Sequence, residues 1–188
     1  MKRKRIILLG AAFVIIAGMY VTIRHINQKK YEEMEIKLTD DYLDDQDLLT
    51  KANYVYQVKN IQKEKSISYH TVDFTVWNAT LAEELDLDSV DAYPLKQIRI
   101  LQTYLGNTSE FPDLERNGSY ILFLDEYTGP IGKDLYVICG VSLGMLEEDK
   151  GTIVYNERQK KSFQILKNTQ GFEISMDQMK AFIKENRD

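Results

Sequence analysis

The segment Gly140-Val-Ser-Leu-Gly144 matches the pattern G-x-S-x-G, in which a serine nucleophile stands on a sharp turn between a strand and a helix. A strand is predicted before the motif, but residues 145–151 run into a turn instead of continuing as a helix. A hydrolase of this type also has its base histidine after the serine, and no histidine follows Ser142 in the sequence. Glycines at the ends of a bent strand explain the pattern better. We therefore predict that Ser142 is not catalytic and that the protein is not an enzyme.

Residue types that bind metals are few and scattered in this chain. It has two histidines, His25 and His70, and one cysteine, Cys139, whereas a structural zinc site needs about four such ligands close together. We expect His70 to be a surface or half-buried side chain and Cys139, inside an apolar stretch, to be a buried small hydrophobe. A single cysteine cannot form an internal disulfide. We predict no metal site, no cofactor, and no catalytic or cofactor-binding residue.

Aspartates are concentrated in two segments of the sequence. The first cluster is Asp40, Asp41, Asp44, Asp45 and Asp47, and the second is Asp86, Asp88 and Asp91. Calcium loops supply several oxygen ligands and a glycine for a sharp turn. Neither cluster contains a glycine, and the first overlaps a predicted helix. Solvated acidic surfaces are the favoured interpretation, with weak contact to a divalent cation as the alternative.

Tyrosine is abundant, with 12 residues, and several fall on predicted strands. Six of these are Tyr54, Tyr56, Tyr69, Tyr120, Tyr136 and Tyr155. A tyrosine ring has an apolar face and a polar tip, so such a set could line a carbohydrate or peptide groove. Strands are enriched in tyrosine without any ligand, and this structural interpretation is favoured.

These residues follow an N-terminal segment that indicates a membrane. Residues 6–23 are uncharged and come directly after Lys2-Arg3-Lys4-Arg5. As a helix they would be roughly 27 Å long, close to the bilayer core of about 30 Å. We predict an uncleaved anchor at 6–23 that contacts the lipid bilayer, with cleavage near Gly18 as the alternative. The excess of basic residues before it places residues 1–5 in the cytoplasm and the rest of the chain outside.

The charge of the remaining chain restricts its partners. All 29 acidic residues follow Lys30, together with only 17 of the 24 Lys and Arg residues. Nucleic-acid binding requires a basic surface, so we predict no nucleic-acid partner. The same charge repels anionic lipid head groups.

The periodicity predicts a stalk at 24–38 and one β-rich domain at 39–188. A short helix is expected after an N-cap at Thr39 or Asp40, and a C-terminal helix after a capping box formed by Ser175 and Gln178. Predicted strands cover 54–61, 67–77, 96–104, 119–124 and 135–141, with short late ones at 152–155 and 163–166. Residues 81–93 are predicted to form a loop or brief helix. The fold class is therefore α+β and mainly β, with five to seven antiparallel strands closing into a small barrel flanked by helices.

Residues 49–155 resemble a loose group of small exported or membrane-anchored proteins of Gram-positive bacteria. The resemblance lies in a helix leading into a Tyr- and Val-rich strand (Leu48 to Val58), a strand ending in Gly106, and the segment Leu114-Glu-Arg-Asn-Gly-Ser-Tyr-Ile-Leu-Phe-Leu124 followed by a tyrosine strand and Gly144. It implies an OB-like (oligonucleotide/oligosaccharide-binding-like) β-barrel, akin to netrin-like modules, and no activity. The insertion at 81–93 departs from the group, in which a Lys-Gly pair tends to follow the second strand.

Together these features predict a single-pass membrane-anchored protein that presents a non-catalytic binding module outside the cell membrane. Its expected partner is an envelope protein or polysaccharide. The alternative is an accessory or regulatory subunit of a membrane protein complex. A small serine hydrolase acting through Ser142 is the third candidate.

Overall fold

A computed structural model describes residues 42–85 and 97–187. The predicted stub (1–5), anchor (6–23), stalk (24–38) and second acidic cluster lie outside these residues. None of the helices in the described ranges has the length and apolar character that a membrane crossing needs.

The described chain is mainly β, as predicted, with a few short helices. In chain order the elements are α1 (Asp45–Lys51), β1 (Tyr54–Tyr69), β2 (Val72–Glu84), β3 (Gln97–Thr103), β4 (Ser119–Glu126), β5 (Tyr136–Ile138), β6 (Met145–Asp149), β7 (Thr152–Val154), α2 (Glu157–Ser162), α3 (Ile165–Thr169) and α4 (Met176–Asn186).

The first five strands form a closed barrel. Its order is β1-β2-β3-β5-β4, and β1 pairs with β4 to complete it. β3 and β5 run parallel, with Ile100 opposite Tyr136 and Leu101 opposite Val137. β5 pairs antiparallel with β4 along one edge, and its other edge pairs with β3, to which it runs parallel. The prediction of a wholly antiparallel sheet is therefore wrong at the β3–β5 pair. β6 and β7 extend the sheet beyond β4.

β1 is a long, bent strand that pairs with two neighbours and so closes the barrel. Its first residues, Tyr54–Val58, pair with β4, and Tyr56–Tyr69 pair with β2. Register shifts interrupt the β2 pairing, and Asn60 has a φ of 53°. Irregularities of this kind bend a strand and increase its twist. One strand thus serves two neighbours.

Four of the predicted element assignments are wrong. The predicted strand 67–77 contains a two-residue turn at His70 and Thr71, and residues 62–66, expected to lie between strands, belong to β1. Residues 81–84 continue β2 instead of forming a loop. The predicted strand 163–166 is a helical region, because Asn156 starts α2 with a capping box and α3 begins at Ile165.

Apolar side chains pack into two large cores. The barrel interior is filled by residues such as Trp77, Ile100, Tyr120 and Leu122. A second core lies between the helices and the outer surface of β1 and β4, where Val55 and Phe123 meet the helical residues. The predicted capping box of α4 is confirmed, and its apolar residues Met179, Phe182 and Ile183 are buried in this second core.

Candidate functional site

Ser142 lies in a buried turn between β5 and β6. It is 1% exposed, and its hydroxyl donates to the carbonyl oxygen of Glu110 at 2.7 Å. The segment that follows Gly144 is strand β6 and not a helix. A Cβ at Gly144 would lie 2.9 Å from the Cys139 carbonyl oxygen, so the glycine is needed for close packing of backbone. The G-x-S-x-G segment is thus a tight structural turn.

The helix α2 holds this turn through backbone carbonyls. The Gln159 side chain is fully buried, and its Nε2 donates to the carbonyl oxygens of Leu143 at 2.9 Å and Met145 at 2.8 Å. Arg158 Nη1 donates to the Gly140 carbonyl at 2.6 Å. Val141 has a φ of 63°, a strained value for a β-branched residue, and these contacts hold it there.

The described aspartates of the first acidic cluster have structural partners. Asp44, and not Thr39 or Asp40, is the N-cap of α1, and it accepts from the Asp47 N–H. Asp45 is 4% exposed and accepts from the N–H groups of Gln164 and Leu166 at 3.0 and 2.7 Å. Asp47 is paired with Lys51 at 2.6 Å. Within the described ranges, no group of three or more potential metal ligands is close enough to hold an ion.

Cys139 belongs to a small polar cluster where the chain enters the domain. The Tyr42 hydroxyl donates to Asp125 Oδ2 at 2.7 Å, and Asn53 donates its backbone N–H and side-chain amide to Oδ1 at 3.1 and 2.8 Å. Burial raises the pKa of both Tyr42 and the Cys139 thiol. A thiol held protonated and 2% exposed is a poor nucleophile, in agreement with the predicted packing role.

The six tyrosines of the predicted strands separate into different environments. Tyr120 is buried in the barrel and Tyr155 in the helical core. Tyr54, Tyr56 and Tyr136 pack against the barrel core with ring centroids 5.4–6.0 Å apart, and Tyr54 and Tyr136 remain partly exposed there. Tyr69 is partly exposed on a different surface, on the outside of the barrel.

That surface, which we name the hairpin face, is the candidate binding site. It consists of six partly buried apolar side chains on the β1–β2 hairpin, the β4–β5 connection and β5: Ile67, Tyr69, Val72, Tyr127, Ile131 and Val137. They pack over four buried residues, Phe74, Val76, Leu101 and Leu135. The His70 ring packs edge-on against Tyr69, with centroids 4.4 Å apart.

The hairpin face combines ring surfaces with polar tips. The Tyr127 hydroxyl accepts from the Ile131 N–H at 3.3 Å, and burial raises its pKa. Beside the face, on the outer side of β3, Arg99 makes two bonds of 2.9 Å to Glu64 and donates to the Lys133 carbonyl at 3.4 Å. The arrangement suits stacking and hydrogen bonding with a ligand, and it lacks a paired nucleophile and base among the described residues.

The sequence indicates Tyr69 among the strand tyrosines and predicts His70 at or near the surface, where it is exposed, but it does not identify the hairpin face. Tyr127 and Ile131 lie in the connection between β4 and β5, which the Gly129-Pro130 pair identifies as a turn without indicating what it covers. The register that brings this connection onto the β1–β2 hairpin depends on the parallel β3–β5 pairing, which has no local signal.

Comparisons with known proteins add no family to this geometry: neither a family model nor a curated protein matches the sequence.

Proposed function

We propose that this chain is a membrane-anchored, extracytoplasmic binding protein whose non-catalytic, OB-like barrel holds an envelope polysaccharide on the hairpin face. The observation that carries the proposal is the cluster of partly exposed tyrosine and aliphatic side chains over β2 and β3. Clusters of apolar side chains that remain partly exposed on a folded domain can mark interaction sites.

The position of the hairpin face supports the OB-like assignment. OB folds are five-stranded Greek-key barrels that bind ligands on strands 2 and 3 and on the loops between strands 1 and 2 and between strands 4 and 5. Phe74, Val76 and Leu101 belong to β2 and β3, His70 lies in the β1–β2 turn, and Tyr127 and Ile131 lie between β4 and β5. The same elements therefore meet at the hairpin face.

The charge of the domain selects between the two ligand classes of this fold. OB folds bind oligonucleotides or oligosaccharides. The excess of acidic residues after Lys30 opposes the counterion exchange that nucleic-acid binding needs. Tyrosine rings offer apolar faces for sugar rings and hydroxyls for their oxygens. A neutral or cationic polysaccharide is the expected ligand.

The binding test uses the full chain in lipid nanodiscs and purified envelope polysaccharide, with affinity measured by calorimetry. We expect Tyr69→Ala to weaken binding about tenfold or more, by analogy with stacking contributions of about 1–3 kcal/mol per ring, while Tyr69→Phe keeps the ring and most of the affinity. Thermal unfolding of each variant controls for loss of the fold. Equal affinity of wild type and the folded Tyr69→Ala variant would reject the hairpin face as the site.

A labelling experiment in intact cells tests the location. Ser109 is exposed, whereas Cys139 is 2% exposed, so wild type is the unlabelled control for a Ser109→Cys variant. Labelling by a membrane-impermeant thiol reagent is the expected result for an extracytoplasmic domain. Labelling only after lysis would contradict that location, and labelled protein in the medium would mean that the anchor is cleaved.

A further inference from the structure

The outer edge of β1, next to the hairpin face, is only partly paired. β1 pairs with β2 along most of its length, but its other edge pairs with β4 only through Tyr54–Val58. At Ile61 the outer edge is still covered, because the carbonyl accepts from the Asn117 N–H at 2.9 Å. From 62 to 66, no described strand or loop donates or accepts a backbone hydrogen bond on that side. We name residues 62–66 the open edge.

Another edge of the sheet is closed by the chain itself. On the far side of β7, the Ile153 N–H donates to the Ile174 carbonyl and the Met176 N–H donates to the Gly151 carbonyl, each at 3.0 Å. The open edge has no such cover within the described residues. It spans roughly 16 Å at about 3.3 Å per residue, which matches a partner strand of ordinary length.

The side chains of the open edge are exposed, and two of the five are cationic. All five residues, Gln62-Lys-Glu-Lys-Ser66, are exposed, and Lys59 just before them is exposed as well. Glu64 is bound to Arg99 at 2.9 Å, so its charge is compensated within the domain. The Lys65 ammonium lies 3.7 Å from a Glu64 carboxylate oxygen. Burial raises the pKa of Asp113, and the positive charge of Lys63 partly offsets this rise. Within the open edge two lysines stand beside one glutamate that is already paired with Arg99, in a chain that is otherwise strongly acidic after Lys30.

We propose that the open edge binds a short, extended, acidic segment of a partner protein by β-strand addition. The backbone of the added segment completes the hydrogen bonds of β1, and its carboxylates face Lys63 and Lys65. The lysines also select against a second copy of this chain, because pairing two open edges brings like charges together. The register shift between Lys63 and Lys65 twists the edge and limits the added strand to a short segment.

The test measures binding of a fluorescent peptide of about nine residues, with Glu alternating with Val and Thr, to the full chain in nanodiscs. We expect saturable binding to wild type and an affinity about tenfold lower in the double variant Lys63→Glu and Lys65→Glu, because both substitutions replace attraction by repulsion toward the carboxylates of the peptide. Lys150→Glu with Lys167→Glu is the matched control, because both lysines are exposed and lie on other elements. This control should bind like wild type.

A second peptide separates strand addition from simple charge attraction. It has the same sequence with N-methyl groups on alternate residues, which remove the backbone donors along one edge and keep the charge. We expect this peptide not to bind, and we expect the unmodified peptide to slow amide hydrogen exchange at 62–66. Equal binding of both peptides, unchanged affinity in the Lys63→Glu and Lys65→Glu variant, or no binding of the acidic peptide to wild type would each overturn the proposal.

Discussion

Two buried tyrosines differ in a single hydrogen bond. Tyr120 is fully buried, and its hydroxyl accepts from the Glu115 N–H at 3.0 Å. Tyr155 is 5% exposed and packs against Phe163 and Phe172, and no described group bonds to its hydroxyl. A buried hydroxyl without a partner costs about 1–3 kcal/mol. We therefore expect Tyr155→Phe to raise the free energy of unfolding by about 1 kcal/mol, measured by urea denaturation.

The matched control for this prediction is Tyr120→Phe. It removes an acceptor and leaves the Glu115 N–H unpaired, so it should lower the free energy of unfolding by about 1 kcal/mol. Destabilisation by both substitutions would contradict the assignment of Tyr155 as an unsatisfied group.

Glu147 gives the domain a pH dependence of defined sign. Burial raises the pKa of its carboxyl, and repulsion from Glu115 and Asp149 raises it further. The folded state thus favours the protonated form of Glu147. Protonation of Glu147 stabilises the fold fully below the unfolded pKa of about 4.3, and this stabilisation is lost as pH rises through the higher folded pKa. We expect Glu147→Gln to raise the melting temperature at pH 7 and to change it little at pH 4.

The neighbouring glutamate is the control for this pH profile. Glu148 accepts from the Gly151 N–H at 3.0 Å, so Glu148→Gln removes a charge together with a charge-assisted turn contact. It should not reproduce the gain at pH 7. A Glu147→Gln variant less stable than wild type at pH 7 would show that repulsion and burial are outweighed by other contacts.

At the scale of elements, α2 acts as a clamp on the turn between β5 and β6. The side-chain amide of Gln159 donates hydrogen bonds to backbone carbonyls of this turn, including those of Leu143 and Met145. Gln159→Leu has similar volume but leaves these buried acceptors unpaired, and we expect a loss of about 2–4 kcal/mol in the free energy of unfolding. Denaturation of Gln164→Leu, an exposed position beside α3, is the control and should change by less than about 0.5 kcal/mol. A similar loss in both variants would contradict the clamp.

Elements with a local signal were predictable from sequence, and elements set by distant partners were not. The capping box of Ser175 and Gln178 spans four residues and correctly placed the start of α4. The turn at His70 and Thr71 has no Gly, Pro or Asn, and the pairing of β1 with β2 decides its position. Asp45 could not be assigned its role, because the N–H groups that it binds belong to Gln164 and Leu166, more than a hundred residues away.

The same distinction applies to the candidate site. The sequence indicated tyrosines on strands and a turn at Gly129-Pro130, but it could not tell which tyrosines face inward. Tyr56, Val58 and Ile61 of β1 all pack in the barrel core, although Ile61 is an odd number of residues from the other two. Register shifts between Gln57 and Val58 and between Lys59 and Gln62 interrupt the alternation there, so alternation alone could not tell which side chains face inward.

At the scale of the whole molecule, an ion-pair group joins the end of β2 to α4. Glu83 contacts Lys180 at 2.8 Å and Lys184 at 3.3 Å. Burial alone would raise the pKa of Glu83, but the two lysines lower it. The stabilisation of the fold by the ionised Glu83 carboxylate is present above the unfolded pKa of about 4.3, and it is lost as pH falls through the lower folded pKa. We expect Lys180→Met to lower the free energy of unfolding at pH 7 by no more than about 1 kcal/mol, with the difference shrinking in acid.

The more exposed partner is the control for this contact. Lys184 is half exposed and lies farther from Glu83, so Lys184→Met should have a smaller effect. Raising the salt concentration should reduce both differences. Equal effects at low and high salt would mean that the lysines act through the packing of their aliphatic chains.

The cluster around Asp125 has a mechanical consequence. Tyr42 is bonded to Asp125, and Arg187 donates to the Ala52 carbonyl at 2.9 Å. The first and the last described residues therefore both contact the region of the short helix α1. A force applied to the chain at Tyr42 acts on the Tyr42–Asp125 bond and on α1 before it reaches any strand. Under such a force we expect α1 to detach first, while the barrel remains folded.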